Sequence, residues 1–296
     1  MDQYIGLGEQ TMVAASKNIQ AKAGARQPRP PKELTHYTTL TGLEGIIRTK
    51  ALWASNASFL NDRAELTHAL DASQKAIKLL SSQKALKAWG GAIETAFTEL
   101  RKGLQAQSYV ACFCGDNDNL SQWRGYGGAV QGVSLTFDQR ALTKRLQKDK
   151  ATLLNVVYAK LTTASRLKDA LEAELRDIAE LEELLGPADA EAEQADLLAR
   201  ISRLLPKFKH LGFRDEREWR YVIQRDIAPE DMQFRVLQNK IVPYITIGNS
   251  STNLPILSIK IGPGTDQELT ARSVETFMGA QGYDVDVTLS EVPFRP

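Results

Sequence analysis

The chain has 296 residues, 43% of them apolar and 25% charged, and its 37 Lys and Arg against 36 Asp and Glu leave a formal net charge of +1. That composition is ordinary for a globular protein, and so balanced a charge gives no global field to recruit nucleic acid or an anionic membrane. No stretch approaches the ~20 apolar residues of a membrane span, and the two cysteines, Cys112 and Cys114, with three scattered histidines make neither a disulfide nor a zinc pattern, so a cytoplasmic, metal-free protein is expected.

Residues 1–32 read as an N-terminal extension: a short helix over 1–22, then a linker in which Gly24, Pro28, Pro30 and Pro31 suit neither helix nor central strand. Leu34-Thr35-His36-Tyr37-Thr38 is β-prone, and Thr41-Gly42-Leu43-Glu44 has the spacing of a capping box for a helix burying Leu43, Ile46 and Ile47. Leu52 to Ser55 reads as a second strand, and Ser58 to Asp62 as a loop whose Asp62, with Glu65, starts a helix. From 63 to 105 Trp89, Ile93, Phe97, Leu100 and Leu104 make one helical stripe. Tyr109–Cys114 alternates as a strand, 115–119 breaks it, 120–128 is a compact aromatic and glycine segment, and 132–137 and 153–158 are further strands. A charged helical hairpin spans about 160–210, with Leu171, Leu175, Ile178 and Leu185 before the Gly186-Pro187 break and Leu197, Ile201, Leu204 and Leu205 after it. Its charges read as a solvated face, with a partner-contact surface as the alternative. Strands at 218–225, 233–238, 241–247, 256–261 and 284–289, and a helix at 266–281 with Leu269, Val274, Phe277 and Met278 inward, complete an α+β chain.

The chemistry concentrates on Phe213 to Ile223. Alternation puts Trp219, Tyr221 and Ile223 on one face of a half-buried strand and Glu218, Arg220 and Val222 on the other, so Glu218 stands at a strand mouth where it can face a cleft. The plainer reading pairs Glu216 and Glu218 with Arg214, Arg217 or Arg220 as a surface charge cluster. Gly125-x-Gly127-Gly128 does not join a strand to a helix with an acid downstream, Gly262-Pro263-Gly264 reads as a turn, and no phosphate-loop lysine, nucleophile elbow or metal cluster occurs. What remains is His36, the 121–127 segment and Glu218. A carboxylate for an oxocarbenium centre, an aromatic ring to stack on nicotinamide and an imidazole for a ribose hydroxyl suit cleavage of a glycosidic bond to a cationic leaving group.

His36-Tyr37-Thr38, Leu52-Trp53-Ala54-Ser55, Ser58-Phe59-Leu60-Asn61-Asp62, Cys112-Phe113-Cys114, Trp123-x-x-Tyr126, Gly132 to Phe137, Glu216-x-Glu218-Trp219-Arg220 and Ile261-Gly262-Pro263 occur in this order. Together they resemble the bacterial domain of unknown function 2971 over about 34–294, and that family resembles the ADP-ribosyltransferases. The resemblance implies a single domain over 33–296 with a split β-sheet core and helical insertions, the hairpin at 160–210 among them. It implies NAD as co-substrate, held by His36, Tyr37, Thr38, Ser121, Trp123, Arg124, Tyr126 and Arg220, with Arg124 or Arg220 near the pyrophosphate. Glu218, His36 and Tyr126 would be catalytic, and Glu216, Asn61 and Asp62 would face the acceptor. A toxin or phage-defence effector is implied too, acting on a protein or nucleic acid and held by a cognate antitoxin. Two features depart from the pattern: Cys114 stands where relatives often show serine, and the helical insert is long. The rival expectation is a non-catalytic nucleotide- or partner-binding module, and a narrower one is NAD hydrolysis with water as acceptor.

Overall fold

The computed structural model describes residues 28–59, 72–80, 89–101, 108–127, 131–185, 189–237 and 240–293. The expected helix over 1–22, the linker up to residue 27, Asn61 and Asp62 lie outside the described residues. The chain is α+β and builds one large mixed sheet with helices.

In order come β1 (Glu33–Thr39), α1 (Leu40–Thr49), β2 (Leu52–Asn56), a helix α2 over 72–80, α3 (Gly90–Arg101) and β3 (Ser108–Cys114). A short helical segment, Leu120–Gln122 continuing as Trp123–Gly127, leads to β4 (Gly132–Asp138), α4 (Gln139–Leu146), β5 (Thr152–Asn155) and β6 (Val157–Ala159). The hairpin α5 (Thr163–Leu185) and α6 (Ala190–Leu204) is followed by β7 (Phe208–His210), a 3-10 turn Leu211–Glu216 and β8 (Glu218–Gln224). β9 (Gln233–Leu237), β10 (Lys240–Ile247), β11 (Ile256–Ile261), α7 (Gln267–Ala280) and β12 (Asp286–Leu289) close the chain.

Three local expectations are corrected. The cap of α1 is Thr39, not Thr41: Thr39 ends β1 in an extended conformation, so its hydroxyl is placed to accept from Gly42 N–H at 3.2 Å. Residues 153–158 are two strands, because β5 pairs with β8 whereas β6 turns away to run parallel with β7. Leu269 is 54% exposed in the first turn of α7, while Val274 and Met278 carry the buried face.

The sheet runs β12-β11-β4-β1-β3-β2-β10-β9, with β8 on β3 and β5 on β8. This order contains a fork. β8 occupies one edge of β3 along its whole length, from Ser108↔Gln224 to Cys114↔Glu218. The other edge is shared, with β2 pairing at Tyr109 and Val110 and β1 at Cys114. β1 and β2 therefore diverge beside residues 111–113.

One sheet face buries Leu135, Phe137, Phe113, Tyr221 and Ile259 under Leu43, Ile46 and Ile47 of α1, Leu142 and Leu146 of α4, and Val274 and Met278 of α7. A second core lies within the helices, where Ile93 and Phe97 of α3 meet Leu171, Leu175, Leu197 and Ile201 of the hairpin and Phe208 of β7. Each such side chain contributes roughly 1.5–3 kcal/mol by leaving water. The hairpin thus covers a core, as its apolar stripes predict. It is tied to the sheet where Ser108 Oγ meets Ser202 Oγ at 3.0 Å and Gln224 Nε2 donates to the Ala199 carbonyl. Among the described residues no helix is long and apolar enough to cross a membrane.

Candidate functional site

The site is assembled around β3. Arg217, just before β8, adopts a left-handed conformation with φ 45°, and this reversal turns both Glu216 and Glu218 toward Lys209 on β7. The backbone of Glu218 is fixed on both sides: its N–H donates to Tyr158 Oη at 2.8 Å, and its carbonyl accepts from Val156 N–H at 3.0 Å. The side chain is fixed as firmly, since Oε2 accepts from Arg220 Nη2 at 2.8 Å and from Lys209 Nζ at 3.3 Å. Lys209 Nζ also reaches Glu216 Oε2 at 2.7 Å, and Arg220 Nη1 donates to the Pro206 carbonyl at 2.8 Å.

Two carboxylates and two cations therefore form a cluster of zero net charge. Glu218, Arg220 and Lys209 are only 1%, 2% and 5% exposed, so the half-buried strand expected at 218–223 is buried on both faces, and Glu218 does not stand open at a cleft. The charges enter the interior because they neutralise one another there. Burial alone would raise the Glu218 carboxyl, but Arg220 and then Lys209 outweigh it and hold the group well below the usual carboxylate range. Its other oxygen, Oε1, is buried and has no hydrogen-bond partner of good geometry among the described residues, although the Cys112 thiol also helps keep the group ionised. The Cys112 thiol itself is pushed well up, first by burial and then by Glu218. Of the plain charge-cluster expectation, the Arg220 pairing holds, but it is an interior contact.

His36 marks the fork. Its Nδ1 lies 2.8 Å from the Cys112 carbonyl, in the gap where β1 has left β3, and its ring packs tilted on Phe113 at 5.5 Å. A carbonyl can only accept, so Nδ1 carries the proton and Nε2 is the acceptor of a neutral ring. Desolvation, offset in part by this hydrogen bond and aided by Arg235, lowers the His36 pKa to about 4. The register Thr35↔Cys114 puts Thr35 on the face of Glu218 and sends His36 toward the other. Only the imidazole's reach into the fork brings it to the strand whose far edge holds Glu218.

The 115–127 segment is laced to both sides. Tyr37 Oη donates to the Asp116 carbonyl at 2.8 Å and accepts from Asn119 N–H at 2.9 Å, and its ring meets Trp123 edge-on at 4.7 Å. Asn119 Nδ2 and Gln122 Nε2 donate to the carbonyls of Asp215 and Glu216, joining this segment to the turn before Glu218. Trp123 is 1% exposed with Nε1 on Asp118 Oδ1 at 2.8 Å, a buried anchor. Thr38 and Ser121 are half-buried and Arg124 is exposed, while Tyr126 lies in the helical segment with its side chain outside the description. Arg220 is enclosed by Glu218 and Pro206. Lys209, Tyr158 and Arg235 were not singled out by the sequence. Only the alternation of Phe208-Lys209-His210 hints at a short strand, and nothing local says that its lysine meets both glutamates.

Fold and site together define an α+β protein organised on a forked mixed sheet, with a neutral imidazole in the fork and a buried glutamate one strand away. Residues 122–221 match the family described as Protein of unknown function (DUF2971), the family that the motif order implies. The matched segment carries Trp123, Arg124, Tyr126, Glu216, Glu218 and Arg220. No curated protein and no solved structure matches the chain.

Proposed function

We propose that the protein is an ADP-ribosyltransferase-like enzyme: it binds NAD in the fork of the sheet, breaks the bond between nicotinamide and ribose, and passes ADP-ribose to a macromolecular or small acceptor. The supporting observation is the fork itself, with His36 bridging it on one edge of β3 and an ionised Glu218 on the other. In this reading the bonding pair of the glycosidic bond leaves with nicotinamide. The positive charge at the ribose carbon is stabilised by the Glu218 carboxylate until the acceptor's lone pair forms the new bond and the acceptor releases its proton to solvent. Oε1 is the oxygen available to accept a ribose hydroxyl, and His36 Nε2 is a second acceptor. Arg220 and Lys209 keep Glu218 ionised; Tyr126 supplies the ring for nicotinamide, Ser121 and Arg124 line the cleft, and Glu216 with Asn61 and Asp62 faces the acceptor.

One observation favours a second reading, a non-catalytic binding module. Glu218 is 1% exposed and closed in its ion cluster with Lys209 and Arg220, so a substrate reaches it only if the groups around it move. Nicotinamide release from NAD, measured for wild type, Glu218→Gln and His36→Gln with and without cell lysate, separates the two. Release by folded wild type and its loss in folded variants is the expected result. Absence of release from wild type under every condition refutes catalysis and leaves the binding module.

A further inference from the structure

A second group of polar side chains stands on the other arm of the fork. The register pairs Arg235 with Val242, Tyr244 with Ser55 and Thr246 with Trp53, so Arg235, Tyr244, Ser55 and Trp53 share one face of β9, β10 and β2. Ser55↔Val110 continues that face onto β3, and Cys112↔Arg220 and Cys114↔Glu218 carry it onto β8. Arg235 reaches back across β10: its Nη2 donates to Ser55 Oγ at 2.7 Å, and its guanidinium lies 5.5 Å from the Trp53 ring centre and 5.8 Å from that of Tyr244. The two rings are tilted together at 5.1 Å. α1 packs against the indole, because a Cβ on Gly45 would run into the Trp53 ring. Beside this oriented cation, Trp53 Nε1 is a buried donor that meets no acceptor among the described residues. An indole N–H buried without an acceptor costs free energy that a bound acceptor recovers.

We infer that Arg235 and Trp53 Nε1 form a phosphate-binding subsite that takes the diphosphate of a nucleotide. A phosphate offers the oxygen acceptors that a guanidinium and an indole N–H both need, and the guanidinium fork matches its geometry. Arg220, expected near a pyrophosphate, is enclosed by Glu218 and Pro206, whereas Arg235 is held by Ser55, Trp53 and Tyr244 on the face that carries Trp53. That the nucleotide is the ADP half of NAD rests on the function proposed above; that a nucleoside diphosphate binds at Arg235 does not.

The test is calorimetric titration of wild type, Arg235→Gln, Arg235→Lys and Trp53→Phe with ADP, adenosine and inorganic diphosphate, each variant checked by circular dichroism and thermal melting. Wild type is expected to bind ADP about tenfold or more tightly than adenosine, and Arg235→Gln to lose about tenfold or more of its ADP affinity. Arg235→Lys, which keeps the charge but not the fork, should fall between. Trp53→Phe should weaken ADP without changing adenosine. Unchanged ADP affinity in folded Arg235→Gln, or no binding of ADP or diphosphate by wild type, overturns the inference. So does a folded Trp53→Phe that binds ADP as wild type does, for then the indole N–H is no part of the subsite. ADP binding through Arg235 without nicotinamide release refutes catalysis and leaves the subsite standing, whereas release with ADP affinity indifferent to Arg235 does the reverse.

Discussion

Replacing Glu218 with Gln keeps the shape of the side chain and removes one of the two negative charges that balance Lys209 and Arg220. Both cations are then left with Glu216, whose side chain is 17% exposed and reaches Lys209 at 2.7 Å. Breaking a buried ion pair by removing one partner costs about 3–5 kcal/mol, and the amide retains some hydrogen bonding, so the low end, about 3 kcal/mol, is expected. For a domain of this size 1 kcal/mol moves the melting temperature by about 2–4 °C, which makes the expected fall roughly 6–12 °C at pH 7. The pH dependence has a definite sign. The folded Glu218 carboxyl is lowered from its ordinary 4.5, so its contribution is fully present above that value and is lost as pH falls through the folded value. Wild type and variant should therefore differ most near neutrality and converge in acid. Thermal melts followed by circular dichroism between pH 7 and pH 3 check both points. A variant that melts within about 2 °C of wild type at pH 7, or a gap that does not shrink in acid, would show that the cluster is not the closed arrangement argued above.

Glu216→Gln should cost less, about 1 kcal/mol, because the Glu216 side chain is 17% exposed against 2% for Glu218, and the order of urea midpoints for the two glutamine variants tests this. Lys209→Met strands two carboxylates beside Arg220 and should destabilise by about 3 kcal/mol; a methionine variant as stable as wild type would count against the cluster. Gly45→Ala gains about 1 kcal/mol of helix propensity but drives a methyl into the Trp53 ring, an overpacking cost of about 1–3 kcal/mol, so a net loss with altered tryptophan emission is expected. His36 is lowered from 6.5 to about 4, so the unfolded chain takes the proton more readily and stability declines as pH drops from 6.5 toward 4. His36→Gln should flatten that slope in urea titrations, and an unaltered slope would assign it to other groups.

Much of the frame was legible because local pattern and final environment agree. Leu34 to Thr38 alternates and is a strand; the stripes Leu171-Leu175-Ile178 and Leu197-Ile201 do bury themselves against a partner helix. The misreadings share one cause. Alternation reports which side chains differ from their neighbours, not what covers each face, so polar Glu218 and Arg220 read as an open face although Lys209, from another strand, closes them in. Thr41 has the capping-box spacing, but Thr39 has the extended backbone that a cap needs. The fork was not readable from β3 itself, because nothing in Ser108–Cys114 says that two different strands share one of its edges. Trp123, which the resemblance places in the cleft, is 1% exposed with its Nε1 on Asp118 Oδ1.

A buried ion cluster is weak support for stability, since well-packed apolar residues of similar volume are often as good or better. The quartet of Glu216, Glu218, Lys209 and Arg220 therefore calls for a reason other than holding the fold. Two of the buried polar atoms that meet no partner among the described residues lie on one continuous sheet face and suggest what that reason is: Glu218 Oε1, an acceptor on β8, and Trp53 Nε1, a donor on β2. Unsatisfied buried groups are few in folded proteins, and these two have opposite hydrogen-bonding character. A ligand with a hydroxyl at one end and a phosphate at the other satisfies both, which an apolar ligand or an inorganic anion does not. The two atoms should then respond together: ADP-ribose, which carries both groups, should lose affinity in Glu218→Gln and in Trp53→Phe, whereas inorganic diphosphate should respond to Trp53→Phe alone. If Glu218→Gln leaves ADP-ribose affinity unchanged in folded protein, the two atoms do not serve one ligand, and the link between the fork and Glu218 is lost.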